Sequence, residues 1–205
     1  MATYTFVDFE HADAAPLARL RSIRQDLASV LDLCRYFSAQ FEGGYPPSEV
    51  IDAFSTAILV RYSRAFVSGV RLGLGEAELS ALTEEQRLNH DQLRAFRDKH
   101  IAHSVNAFED TRIQARYCAE RVKEEGITSI SAAHYRVVGI GSEDIGHLEE
   151  LSETFIAYLD QAIEAEQTKL LGIVRALPLQ EVLLRSSSPL MNADKKRIAR
   201  RRQRQ

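Results

Sequence analysis

One unbroken apolar stripe does most to limit what this chain can become. Ile145, Leu148, Leu151, Phe155, Tyr158, Leu159, Ala162, Ile163, Leu170, Ile173, Val174 and Leu177 recur at three- and four-residue steps until Pro178 stops the pattern. That is the period of one face of an α-helix. Ser142 is read as its cap, with Glu143 and Asp144 at the positive end. At 1.5 Å per residue such a helix reaches about 50 Å, longer than a small domain needs. Either Gly146 or Gly172 bends it, or another chain covers part of it.

A helix of this length needs long partners, and the sequence supplies them. Behind Pro16, the residues Leu20, Ile23, Leu27, Val30, Leu31, Cys34, Phe37 and Phe41 form a second stripe, closed by Gly43, Gly44, Pro46 and Pro47. Proline suits the first helical position because no intrahelical acceptor awaits its missing N–H. Ser48 opens a third pattern through Ile51, Phe54, Ile58, Tyr62 and Ala65, read as ending near Gly69, and the Gly73-Leu74-Gly75 stretch is read as a connection. Thr83 and Gln86 have the form of a capping box, which starts a further helix from about residue 84 to about 103. The period then changes. Ile113, Ala115, Tyr117 and Ala119 alternate with polar residues, Lys123 to Gly126 reads as a turn, and 127–140 is rich in β-branched residues, which predicts a β-hairpin. The fold class expected is mainly α: an antiparallel helical bundle with a small β-hairpin before the long last helix.

The 205 residues, 45% hydrophobic and 27% charged, suit one domain with a sizeable core. We read residues 1–178 as that domain and 179–205 as a basic, flexible tail. The net charge of −3 hides an asymmetry: residues 185–205 carry +7, so the rest carries −10. The tail is read as solvated, with phosphate binding as its sharper alternative. Cys34 and Cys118 lack the spacing of a zinc site or a disulfide scaffold, so both are expected reduced. No apolar run is long enough for a bilayer and the first residues lack a signal-peptide pattern, which makes the cytoplasm the expected location and a membrane partner unexpected.

Chemistry concentrates at residues 89–106. A 100° projection puts Asn89, Leu93, Phe96, Arg97, His100 and His103 within one arc, so a stripe that seeks burial contains an arginine and two histidines. Buried cations need partners, so this face is expected to look onto a cleft or another subunit. Asp98 projects about 100° away. His90 could line the same groove, although an exposed helical histidine is the commoner case. His11, His134 and His147 lie too far apart for a metal site, and Glu149, Glu150, Glu153, Glu164 and Glu166 read as a solvated face.

At Phe96-Arg97-Asp98-Lys99-His100-Ile101-Ala102-His103 the sequence resembles the HEPN superfamily, whose hallmark is an arginine followed after four to six residues by a histidine near a helix end. Arg97 and His103, with five residues between them and Asp98 directly after the arginine, fit that pattern. The run through Ser104 and Asn106, then a hairpin and a long helix, together with Arg61-Tyr62-Ser63-Arg64, resembles the abortive-infection branch. The resemblance spans about residues 47 to 177.

It implies an HEPN-like bundle that pairs as a homodimer through the motif helix. It also implies a metal-independent endoribonuclease in phage defence or as a toxin, with no metal and no cofactor. Arg97 would clamp phosphate, His103 would act as base or acid, and Asp98 would orient Arg97 of the partner or a histidine. His100, Asn106, Arg64 and Arg61 are the candidate substrate contacts, although pairing with surface acids is the commoner role for Arg61 and Arg64. RNA or a nucleotide is the expected ligand, and an antitoxin or a nucleotidyltransferase the expected protein partner. The alternative is a non-catalytic module that binds nucleotide, RNA or protein through the same groove, or a polar dimer interface with no ligand.

Overall fold

A computed structural model describes residues 9, 11–67, 72–101, 109–137 and 139–184, the side chains of 100, 101, 109, 122, 136, 183 and 184 excepted. Two long helices form its spine. Helix α1 is Ala15–Phe41, with Pro16 in the first turn, and α6 is Ser142–Ala176, unbroken through both of its glycines. They run antiparallel: Arg24 on α1 donates to Asp160 on α6, with Nη2 to Oδ2 at 2.9 Å, while Arg35 pairs with Glu153. Between them Ile23, Leu27, Val30, Cys34 and Phe37 meet Leu148, Leu151, Phe155 and Leu159, all at most 1% exposed. A fully buried side chain of this kind contributes roughly 1.5–3 kcal/mol, which makes the seam the chief source of stability.

Helix α2, Ser48–Arg64, lies antiparallel along α1. Phe37 stacks on Phe54 with ring centroids 5.2 Å apart, and Arg64 pairs with Asp26, a carboxylate buried at the α1 surface. The helix stops at Arg64 rather than near Gly69. Leu74 returns its N–H to the Ala65 carbonyl at 2.7 Å, and a Cβ on Gly73 would sit 2.6 Å from the Phe66 backbone carbon. The chain therefore doubles back against the helix end, and only glycine permits that approach. A short helix α3, Glu76–Leu79, follows where only a connection is expected; the Glu78 carboxylate accepts from Gly75 N–H at 2.8 Å.

Helix α4, Glu84–Phe96, begins with the expected capping box: Gln86 N–H reaches Thr83 Oγ1 at 3.2 Å and Thr83 N–H reaches Gln86 Oε1 at 3.1 Å. Strands β1, Glu109–Tyr117, and β2, Ile127–Arg136, pair antiparallel. Their connection is a 3₁₀ turn, Ala119–Arg121, and a one-turn helix α5, Val122–Glu125, instead of a plain turn. The long helix is capped from Gly141, one residue earlier than expected, because the Asp144 carboxylate reaches back to Gly141 N–H at 2.9 Å. After Pro178, a helix α7, Leu179–Leu184, forms with Val182 buried. Those six residues are thus ordered helix where a flexible tail is expected, because an apolar Val182 finds cover; 185–205 lie outside the described residues.

The architecture is mainly α with one two-stranded sheet. No described helix is long and apolar enough to cross a membrane. Both cysteines are free, and burial beside Glu149 pushes the Cys34 thiol up to about 12.

Two glycines test how tightly the loop before α6 is held. Ser55 Oγ donates to the Ile51 carbonyl at 2.6 Å and accepts from Ile140 N–H at 3.0 Å, and a Cβ on Gly139 would lie 2.2 Å from that oxygen. Gly139→Ala should destabilise the protein by about 1–3 kcal/mol in urea denaturation. Gly146→Ala, with nothing within 4 Å of the added carbon, should instead stabilise it by about 0.5–1 kcal/mol.

Candidate functional site

The motif helix is fastened to the bundle by a buried polar pair. Tyr62 on α2 and His90 on α4 are both 0% exposed, and the Tyr62 hydroxyl lies 2.8 Å from His90 Nδ1. Phe66 packs edge-on against the imidazole at 4.5 Å and against Phe155 of α6 at 5.0 Å, so three helices meet around one histidine. On the solvent side Gln86 Nε2 donates to Glu150 Oε1 of α6 at 2.7 Å. His90 is therefore a core residue, neither exposed nor lining a groove. Burial, aided by the positive charge of Arg94, lowers its pKa to about 4, while burial raises that of Tyr62.

Seven residues further on lies the arginine. Four of the six residues of the expected stripe face inward: Asn89 and Leu93 are buried, and Phe96 and Arg97 are half-buried. The α-helix ends at Phe96, however, and continues as a π-helical turn over Arg97–Ile101 that packs against α2. The Arg97 N–H is shared between the carbonyls of Leu93 and Arg94 as the ladder changes. A π turn holds more residues than an α turn, so the 100° projection does not carry past Phe96. Isolated π turns inside helices occur often at functional sites.

Arg97 Nη1 donates to Asp98 Oδ1 of its own chain at 2.8 Å. Sequence spacing separates these two side chains by about 100°; the structure joins them, because the long arginine side chain folds back over the wider turn. Asp98 thus engages Arg97 of its own chain. Among the described residues Arg97 Nε is buried without a hydrogen-bond partner, as are Ser63 Oγ, His90 Nε2 and Ser152 Oγ, while the arginine side chain as a whole is about one-third exposed. A buried donor left without any partner costs about 1–3 kcal/mol, and a ligand or water is one means of satisfying it; of the four such atoms only Arg97 Nε belongs to a side chain that reaches the surface at the motif turn.

The other candidates divide. His100 is placed in the π turn by its backbone alone, and His103 and Asn106 lie outside the described residues. Arg64 is engaged with Asp26 at 3.6 Å, which gives it a structural role between α1 and α2. Arg61 is exposed on the same last turn of α2. His134 lies on the hairpin beside Thr111, with 2.9 Å between Oγ1 and Nδ1. Among the described residues no cluster of three or more His, Cys, Asp or Glu is suited to a metal ion.

Sequence reasoning missed the Tyr62–His90 pair. Its one available signal was that Tyr62 continues the apolar stripe of α2 and so must bury a hydroxyl, which demands a polar partner on a facing helix. Comparison with protein-family models, with curated proteins and with solved structures finds no match for this chain.

The depressed pKa of His90 has a definite sign. The unfolded chain takes up a proton near the ordinary value of 6.5 and the folded protein only near 4, so between those values the unfolded state holds more protons. Stability should rise with pH across that window, by on the order of 3 kcal/mol, and level off above it. Urea denaturation from pH 4 to 7 measures the slope, and His90→Phe should flatten it.

Proposed function

We propose that this chain is a metal-independent endoribonuclease of the HEPN type. The observation that carries the proposal is Arg97: a half-buried guanidinium on a π-helical turn at a helix end, held on one side by Asp98 and with its Nε unpartnered among the described residues. The sequence resemblance supplies the second group, His103. A 2′-hydroxyl must lose its proton as it attacks the adjacent phosphorus, and an imidazole accepts that proton near neutral pH. The bond from phosphorus to the 5′ oxygen of the next nucleotide breaks, that oxygen takes a proton, and a 2′,3′-cyclic phosphate remains. Charge grows on the phosphoryl oxygens during attack, where a forked guanidinium is most effective.

Asp98 is a positioning residue in this scheme. It fixes one arm of the fork by its own hydrogen bond and leaves Nη2 for phosphate. Pairing of two motif helices in a homodimer would place two arginines and two histidines around one phosphodiester, with Asn106 and His100 near enough in sequence to contact it. Such an activity suits a toxin or a phage-defence effector held in check by an antitoxin or a nucleotidyltransferase partner in the cytoplasm.

One observation favours a second reading. The Arg97 charge is already matched by Asp98, and residues 1–184 carry −10. A site so neutralised suits binding of a nucleotide or a short RNA end without scission.

The enzyme reading predicts RNA cleavage by purified protein in EDTA, cyclic phosphate ends, and no cutting of an RNA with 2′-deoxy sugars. Arg97→Ala should lower the rate by about 10²–10³-fold, and His103→Ala should do at least as much. Asp98→Asn should lower it less while raising the phosphate-dependent KM. Cleavage that requires a divalent ion, or survives both substitutions, would remove this reading; RNA binding without scission in the wild type would leave the binding module.

A further inference from the structure

The β1–β2 hairpin is largely exposed. None of its described residues is buried, and among the described residues each strand pairs only with the other. Ile113 is 71% and Ile130 65% exposed, and with Ala115, Tyr117 and Ala132 they make one apolar face. The opposite face carries Asp110, Arg112, Gln114, Arg116 and Tyr135, with the Arg112 guanidinium 5.5 Å from the centre of the Tyr135 ring. A two-stranded ribbon on its own is marginally stable in water and gains stability from further strands or from packing against a helix. Natural edge strands are blunted by charged side chains, proline, bulges or shortness. Over Glu109–Arg116, β1 has no proline or bulge, the pairing irregularity coming at Arg116/Tyr117; it does carry Glu109, Asp110, Arg112 and Arg116, charges that disfavour an unmatched strand and leave room for one of complementary pattern.

We propose that β1 pairs antiparallel with β1 of a second copy of this chain, across a two-fold axis at Ile113. The charge pattern selects this occupant and this register. Ile113 is the midpoint of the nine-residue strand, so an axis there leaves no residue of β1 unpaired. It sets Asp110 opposite Arg116 of the second copy, and Arg116 opposite that copy's Asp110. Opposite residues in an antiparallel pair share a face, so both ion pairs form on the polar side while Ile113 meets Ile113 and Thr111 meets Ala115 on the other. Moving the axis one residue toward the start sets Arg112 against Arg112. Moving it one residue toward the end sets Arg112 against Arg116 twice. Like charges directly opposite destabilise a sheet, so the neighbouring registers are penalised and the central one is rewarded. Strand β2 holds no such pattern, since Ile127 to Tyr135 contains no carboxylate or guanidinium.

The result is a four-stranded sheet in the order β2, β1, β1 and β2, with each Asp110 held between Arg112 of its own strand and Arg116 of the other. This interface stands apart from the nuclease reading, because its experiment measures association and not cleavage.

The test is a charge-reversal mixture followed by sedimentation. The wild-type protein is expected to be a dimer that dissociates on dilution. Asp110→Lys alone sets lysine against Arg116 twice, and Arg116→Asp alone sets acid against acid twice, so each should weaken self-association about tenfold or more. Mixed in equal amounts the two variants should form a heterodimer near wild-type affinity, since every opposing pair is then of opposite charge. A second measurement does not depend on those variants folding normally. Ile113→Cys in a Cys118→Ser background should give a disulfide-linked dimer on mild oxidation, because residues facing one another across such an axis have Cα atoms about 4.5–5.5 Å apart, within disulfide reach.

A monomeric wild type overturns the proposal, as does a dimer that neither charge variant weakens or that the mixture fails to restore. A monomer whose RNA affinity falls with Arg116→Asp also overturns it, and would assign the hairpin to nucleic acid instead.

Discussion

Everything in this fold hangs on the contact between α1 and α6. Two apolar stripes, each longer than most helices in small proteins, bury one another over the lengths set by Ile23 to Phe37 and Leu148 to Leu159. The seam fixes a rigid plane on which α2 lies beside α1, and α2 with α6 makes the cradle for the motif helix. Local helix propensity does not explain the arrangement, since most helical stability comes from burial of an amphipathic face. Asp26 shows how far that requirement extends: it sits on the buried side of α1 and is kept there by Arg64. An arginine that sequence reasoning offers to phosphate is thereby committed to holding two helices together.

Helix α4 is fastened by a different kind of contact. Its mean hydropathy is low and its inward face mixes Asn89, His90, Leu93, Phe96 and Arg97, so hydrophobic burial alone does not fix its position. The Tyr62–His90 hydrogen bond supplies directional restraint in the middle of an aromatic cluster. A buried hydroxyl left unpaired costs more than a matched pair gains, which makes the pair a specificity device: α4 has one rotation and one height at which the Tyr62 hydroxyl meets His90 Nδ1, while His90 Nε2 is without a partner among the described residues. Setting His90 sets Arg97, two helical turns beyond it.

Much of this was legible in the chain. Pro16, the capping box at Thr83 and Gln86, and the long stripe ended by Pro178 mark helix bounds because each acts through its own backbone chemistry, independent of the rest of the molecule. The errors lie where tertiary contact decides. Helix α2 stops at Arg64, not near Gly69, because Leu74 and Gly73 return to its end, and nothing in residues 64–69 announces that return. His90 was unreadable for the same reason: a lone polar residue between Asn89 and Asp91 looks exposed until Tyr62 and Phe66 are seen to enclose it. The inward face of Asn89, Leu93, Phe96 and Arg97 was visible from spacing alone, but the π turn was not. No proline or glycine falls within Arg97–Ile101 to signal a departure from the α ladder.

The π turn and the hairpin bear on one another through chain geometry. Seven residues join Ile101 to Glu109, and a segment of that length spans at most about 25–30 Å even when extended. A hairpin held across a two-fold axis would therefore keep the two motif turns of a dimer within a bounded distance of that axis. Arg97 grips Asp98 within its own chain. What a second copy would bring is proximity: a second guanidinium and imidazole beside the first, where one phosphodiester has two non-bridging oxygens and two reacting oxygens to be matched. In that arrangement the uncovered ribbon has a structural purpose. It sets where two such sites meet, while the α1–α6 seam and the Tyr62–His90 pair set where each one points.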